Sequence, residues 1–241
     1  MPTLQQESEV LAAWTRLGVL LGTSAGAEAP DLERLLLATA RFAPGNARVF
    51  GLAVGWLATF GHLVARHRLK HLIQAELEPE HQATLGLLLD MAARHGAPQA
   101  LCATVRPVCR KSPQRTALFT AYRTAGLEAL AQSQSCPEAI RWNLYAPDFP
   151  PREDTLRPRA WVVAHNPDFG SRAAYKGDLR SSIVETLRHD LPKNGIASES
   201  GLARLCSATR PALREALGDL ELENKIIWDK GRSGNGVRLA A

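Results

Sequence analysis

The stretch from Asp178 to Ala241 constrains this chain most. Three helical patterns come first, and two short strand patterns follow. In the first, Ile183, Val184, Leu187 and Leu191 fall on one stripe at helical spacing. Ser198 stands as an N-cap before a short second helix, ESGLARLC, which buries Leu202, Ala203 and Cys206. Ser207-Ala208 makes the turn. Thr209 then caps a third helix with Pro211 in its first turn, where a missing N–H costs little, and Leu213, Leu217 and Leu220 form its core side. Lys225 to Trp228 and Val237 to Leu239 read as strands joined by the glycine-rich basic turn from Lys230 to Gly236.

That order over Gly177 to Ala241 resembles the winged helix-turn-helix domains of transcription regulators. The resemblance implies that the third helix enters the major groove and reads duplex DNA with its first residues. The role falls on Ser207, Thr209, Arg210 and Arg214, with Lys230 and Arg232 of the wing as phosphate contacts. One departure limits it. Glu215, Asp219, Glu221 and Glu223 make the later turns of the helix acidic, so groove contact is confined to its start.

Upstream, the pattern is helical almost throughout. Leu4 to Leu21 carries Val10, Leu11, Trp14 and Leu17 on one broad face. Asp31 caps a second helix that Pro44 and Gly45 end. Asn46 opens a long third helix expected to reach about Glu76, and Pro79 closes it. Helices follow at Glu80 to Arg94, Gln99 to Val105 and Arg115 to Gln132, and Pro137 starts a short one. From Leu144 to Ser171 the prolines multiply and Trp161-Val162-Val163 is the one strand-like triplet, which predicts an extended surface connector. The expected class is mainly α, with a helical domain over 1–143, a proline-rich connector over 144–176 and the winged helix over 177–241.

A net charge of +5 favours an acidic partner such as duplex DNA. Cys102, Cys109, Cys136 and Cys206 are scattered, with no CxxC pair or knuckle, which fits a reducing cytoplasm and predicts no metal site. No cofactor-binding motif stands out. The N-terminus lacks a basic region followed by an apolar core, so no signal peptide is expected. The most apolar run, Val49 to Ala65, is short for a span and holds three glycines and His62, so no membrane is expected as a partner. The helical body would serve homodimerisation or partner binding.

Two other constellations bear on function. Arg66-His67-Arg68-Leu69-Lys70-His71 has the form R-H-x-x-x-H and resembles the motif of HEPN-type ribonucleases. That resemblance implies Arg66 and His71, contributed by two protomers, as an alternative catalytic pair at an RNA 2′-hydroxyl, one stabilising a charged phosphorane and the other moving a proton. His67 and His71 also share a helix face, but no third metal ligand accompanies them. Cys109 beside Arg110 and Lys111 would be a reactive thiol only if exposed. The leading expectation is a DNA-binding regulator without catalysis. A ribonuclease, or a scaffold subunit of a nucleic-acid or phage-defence complex, is the alternative.

Overall fold

The computed structural model describes residues 4–192, 195–229 and 236–240. The chain is mainly helical, with a small antiparallel sheet near its C-terminus. The body holds α1 (Leu4–Arg16), α2 (Leu32–Phe42), α3 (Ala47–Phe60), α4 (Arg66–Glu76), α5 (Pro79–Arg94) and α6 (Gln99–Val105). After them come β1 (Thr116–Ala117), α7 (Ala125–Ser133), α8 (Pro137–Arg141) and β2 (Leu144–Tyr145), then α9 (Arg159–His165) and α10 (Phe169–Tyr175). The last segment runs α11 (Leu179–His189), β3 (Ala197–Ser198), α12 (Glu199–Leu205), α13 (Arg210–Leu222), β4 (Ile226–Asp229) and β5 (Gly236–Leu239).

Local capping chemistry sets several helix starts. Asp31 accepts from the Arg34 amide at 3.2 Å, and Asn46 from that of Val49 at 3.1 Å. Each satisfies a backbone donor that the helix leaves free. At the far end of α5, the Gly96 and Ala97 amides bond back to Ala93 and Ala92, with Gly96 at φ +112°. That paired turn needs a left-handed residue, which glycine supplies without strain.

α5 is the axis of the body, with Leu85, Leu87, Leu88, Leu89 and Met91 all fully buried against α2, α3 and α6. Trp14 and Trp56 meet edge to face, 5.6 Å between centroids, and their indole N–H groups go to the Thr39 hydroxyl and the Leu17 carbonyl. Gly86 is required where it stands, because a Cβ there would come within 2.4 Å of the Trp142 ring.

Three expectations fail in the body. The long helix from Asn46 is two helices, because the chain turns at Gly61 to Leu63 and restarts at Arg66. Gly61 sits against Pro98 there, and α4 leaves at a new angle to pack on α2, α6 and α11. The expected helix over 115–132 is a parallel pairing of β1 with β2, a short turn, and α7 only from Ala125. The proline-rich stretch is not an extended surface connector. Trp161-Val162-Val163 lies inside α9, with Val162 fully buried, and α10 buries Phe169 and Arg172. Pro158 at the α9 N-cap and the packing of Val162 against Gly18 override the strand preference of the triplet.

The apolar side chains form two clusters, one ending at Phe169 and one running from Tyr175 to Val237. The second holds the stripe of Ile183, Val184 and Leu187 against Leu202, Leu213, Leu217 and Leu220. Its sheet has the order β3-β5-β4, with Ala197 and Trp228 both registered on Val237 and Ile226 on Leu239. The hairpin strands match the sequence expectation. β3 does not appear in the sequence pattern, since two residues are too few for a period.

Candidate nucleic-acid interface

Ser198 accepts from the Gly201 amide at 3.1 Å and starts α12. α12 ends in a paired turn, with the Ser207 amide bonded to the Arg204 carbonyl and the Ala208 amide to that of Ala203. Ser207 takes the left-handed position at φ +47°. The turn reverses the chain so that α13 begins at once and packs on α11, α12 and β4. Asn224, at φ +56°, closes α13 with the same turn, its amide and that of Lys225 bonding to Glu221 and Leu220.

The start of α13 faces outward. Thr209, Arg210, Pro211, Ala212 and Arg214 are all exposed, while Leu213, Ala216 and Leu217 turn inward. Thr209 occupies the N-cap position but makes no side-chain cap bond. The hydroxyls of Ser207 and Thr209 therefore have no hydrogen-bond partner among the described residues. Arg210 likewise has no ion pair among them. Arg214 is held by Glu199, Nε to Oε2 2.9 Å, which aims its guanidinium along the start of α12. Lys230 and Arg232, the wing contacts expected from the sequence, lie outside the described residues.

The acidic later turns of α13 have partners within the module. Glu223 accepts from the Tyr175 hydroxyl, and Arg180 stands near Asp219 and Glu223. This end of the helix is tied to α10 and α11, away from the open first turn.

α4 joins the module to the body, packing on both α11 and α12. Arg68 of α4 is fully buried and binds Asp190 at the end of α11 twice at 2.7 Å, together with Asp31 and Glu33. Arg172 of α10 bridges Glu33 and Glu185 at 2.6 and 2.8 Å. Arg34 and Arg188 complete the set, on Asp190 and Glu185 respectively. Four guanidiniums thus face four carboxylates. Burial pushes the Glu185 carboxyl up, but Arg172, a hydrogen bond from His189 and Arg188 hold it down at about 2. Sequence reading missed this cluster. Its one trace was a charge set inside apolar helical runs, such as Glu33 between Leu32 and Leu35.

Arg66 and His71 are both part-exposed on α4. Five residues apart, they point about 140° away from each other around the helix. The Arg66 guanidinium reaches the Lys176 carbonyl at 3.4 Å. His71 is half-buried, and burial holds its pKa below the ordinary value. Cys109 is no reactive thiol, since burial and then Asp90 push it up to about 12. Among the described residues no helix is long and apolar enough to cross a membrane, and no His, Cys, Asp or Glu trio is placed to hold a metal ion. Compared with known protein families, curated proteins and solved structures, the chain finds no match.

Proposed function

We propose that the chain binds duplex DNA, as a winged helix-turn-helix protein, by placing the first turn and a half of α13 in the major groove. The observation that carries this reading is the outward-facing start of α13, where Arg210 has no ion-pair partner among the described residues and Thr209 offers an uncommitted hydroxyl. A guanidinium fits the O6 and N7 acceptors of guanine, and hydroxyls at a helix start suit a phosphate. Arg214, oriented by Glu199, stands one turn further along the same face. Lys230 and Arg232 would hold phosphates beside the reading helix. Control of transcription from a site of paired half-sites, bound by a cytoplasmic homodimer, is the role such a reader serves. No catalytic step is part of this reading.

The test is fluorescence anisotropy on random-sequence duplexes, comparing wild type with Arg210→Ala/Arg214→Ala. Each arginine used bidentately contributes about 1–3 kcal/mol, so the double variant is expected to bind at least ~10-fold more weakly. Undiminished binding by that variant rules out α13 as the reader.

A second reading has one observation in its favour. Ile196 is 67% exposed and Leu222 84%, and Ile227 is exposed on the outer side of the sheet opposite Arg238. Apolar side chains this open suit a protein partner, as in a scaffold subunit. Binding of no duplex at low salt would favour it.

A further inference from the structure

Half of the described arginines are paired with carboxylates, but the cations on the outer side of α4 and its neighbours are not. α4 buries Arg68, Leu69, Leu72 and Ile73. At about 100° per residue the opposite side presents Arg66, His67, Lys70 and His71, all part-exposed. The Arg66 amide donates to the Gly177 carbonyl at 3.3 Å and its side chain to that of Lys176, which sets the exposed Lys176 beside it. Gly177 fixes this contact, since at φ +67° a Cβ would come within 2.1 Å of the Val64 carbonyl oxygen. Burial first, and then exposed Arg159 and Lys176 nearby, disfavour protonation of His62. At the other end α12 packs on α4 and brings exposed Arg204 to His71.

Arg66, Lys70, Arg159, Lys176 and Arg204 have no ion-pair partner among the described residues. The nearest carboxylates are already taken. Asp178 is bound by Arg180 at 2.8 Å, Asp190 by Arg68 and Arg34, and Glu76 by Arg34 at 2.7 Å. The positive charge is therefore uncompensated locally. Along the chain it leads into the reading helix, since only the turn at 206–208 separates Arg204 from the start of α13. In helix-turn-helix proteins the helix before the reader crosses the backbone.

We infer that the body carries a second, sequence-independent duplex-binding strip, in which Arg204, Lys70, Arg66 and Lys176 hold phosphates of DNA flanking the segment read by α13. The inference rests on the reading of α13 as the groove-binding helix and extends the bound length beyond it. Unpaired cations on an exposed helix side suit a duplex backbone. The strip adds affinity and salt dependence, not sequence preference.

The experiment is anisotropy over a salt series, on random-sequence duplexes of about one and about three helical turns, ~11 and ~31 base pairs. Wild type is compared with Lys70→Gln/Lys176→Gln/Arg204→Gln, with the single Lys70→Glu, and with Arg210→Ala/Arg214→Ala. Each phosphate engaged adds about 0.9 to the slope of log affinity against log salt. Wild type is expected to show a slope steeper by about two to three on the long duplex than on the short one. The triple variant loses that increment, while its slope on the short duplex falls by no more than the single Arg204 contact, about 0.9. Lys70→Glu loses part of it, and Arg210→Ala/Arg214→Ala weakens both lengths. A wild-type slope independent of length, or a triple variant with the wild-type slope on the long duplex, overturns the strip and leaves the α13 reading standing. A triple variant that loses the increment beside an unimpaired Arg210→Ala/Arg214→Ala overturns the α13 reading and keeps the strip. Single-stranded RNA that binds the wild type tighter than the long duplex, and loses this advantage in the triple variant, assigns the strip to RNA and overturns it as a duplex site. No wild-type binding to either duplex overturns both.

Discussion

Arg68 and Asp190 lock α4 to the end of α11 through two parallel hydrogen bonds of 2.7 Å, Nε to Oδ2 and Nη2 to Oδ1. The Arg68 side chain is fully buried, so this forked pair sits where water cannot replace either partner. It couples the C-terminal module to the body with directional bonds, which an apolar seam alone would not provide.

Removing Arg68 is expected to cost far more than the pair itself contributes. Arg68→Met keeps most of the volume but leaves Asp31, Glu33 and Asp190 short of a buried counter-charge. Breaking such a pair from one side costs about 3–5 kcal/mol. Urea denaturation of Arg68→Met measures this, and Asp190→Asn, which leaves Arg68 two other carboxylates, should lose less. A loss below ~1 kcal/mol in Arg68→Met would show that the cluster is open to water.

Acid should weaken the fold in two steps. His62, His67 and His71 are each held below the ordinary imidazole value, first by burial. Neighbouring cations add to this for His62 and His67, through Arg159 and Lys176 and through Arg66 and Lys70. For His71, Arg204 and Arg68 act the same way against Asp190 and Glu76. The unfolded chain takes up these protons more readily, so their contribution is complete above the unfolded value of about 6.5 and is lost as pH falls below it. Glu185 has its folded pKa at about 2 against an ordinary 4.5, so its contribution is lost later, as pH falls from 4.5 toward 2. Denaturation midpoints across this range, with His62→Gln/His67→Gln/His71→Gln, check the assignment. An upper step undiminished in the triple histidine variant refutes it, a smaller remainder being expected from His81, which burial also holds below the ordinary value.

Ser207→Gly should stabilise the module. Serine at φ +47° bears the left-handed penalty of a residue with a Cβ, about 1 kcal/mol, which glycine escapes. The higher folding stability is expected together with weaker DNA binding if the Ser207 hydroxyl holds a phosphate. Thermal melts and anisotropy on the same preparation separate the two effects, and a destabilised Ser207→Gly would mean that the hydroxyl supports the turn.

The helices that could be read from the sequence are those whose ends are marked by local chemistry. Asp31, Asn46, Ser198 and Pro137 each begin a helix where expected, because a cap or an N-terminal proline acts over three or four residues. The break between α3 and α4 has no proline to announce it. It follows from packing, with Gly61 seated on Pro98 and the Val64 carbonyl against Gly177. The same holds for Arg68, which reads as one more cation in a basic run but points inward, unlike Arg66 and Lys70 on either side.

By itself the sequence determined a mainly helical chain and the order of helices and hairpin strands from Asp178 onward, since apolar period and capping are local properties. It also placed Arg210 and Thr209 at the start of a helix. Only the tertiary structure decided which cations are free. Arg68, Arg172 and Arg34 are consumed by carboxylates far away in the chain, while Arg66, Lys70 and Arg204 are not. Charge pairing depends on distance in space, and residues more than a hundred positions apart, such as Arg68 and Asp190, meet only once both helix packings have formed.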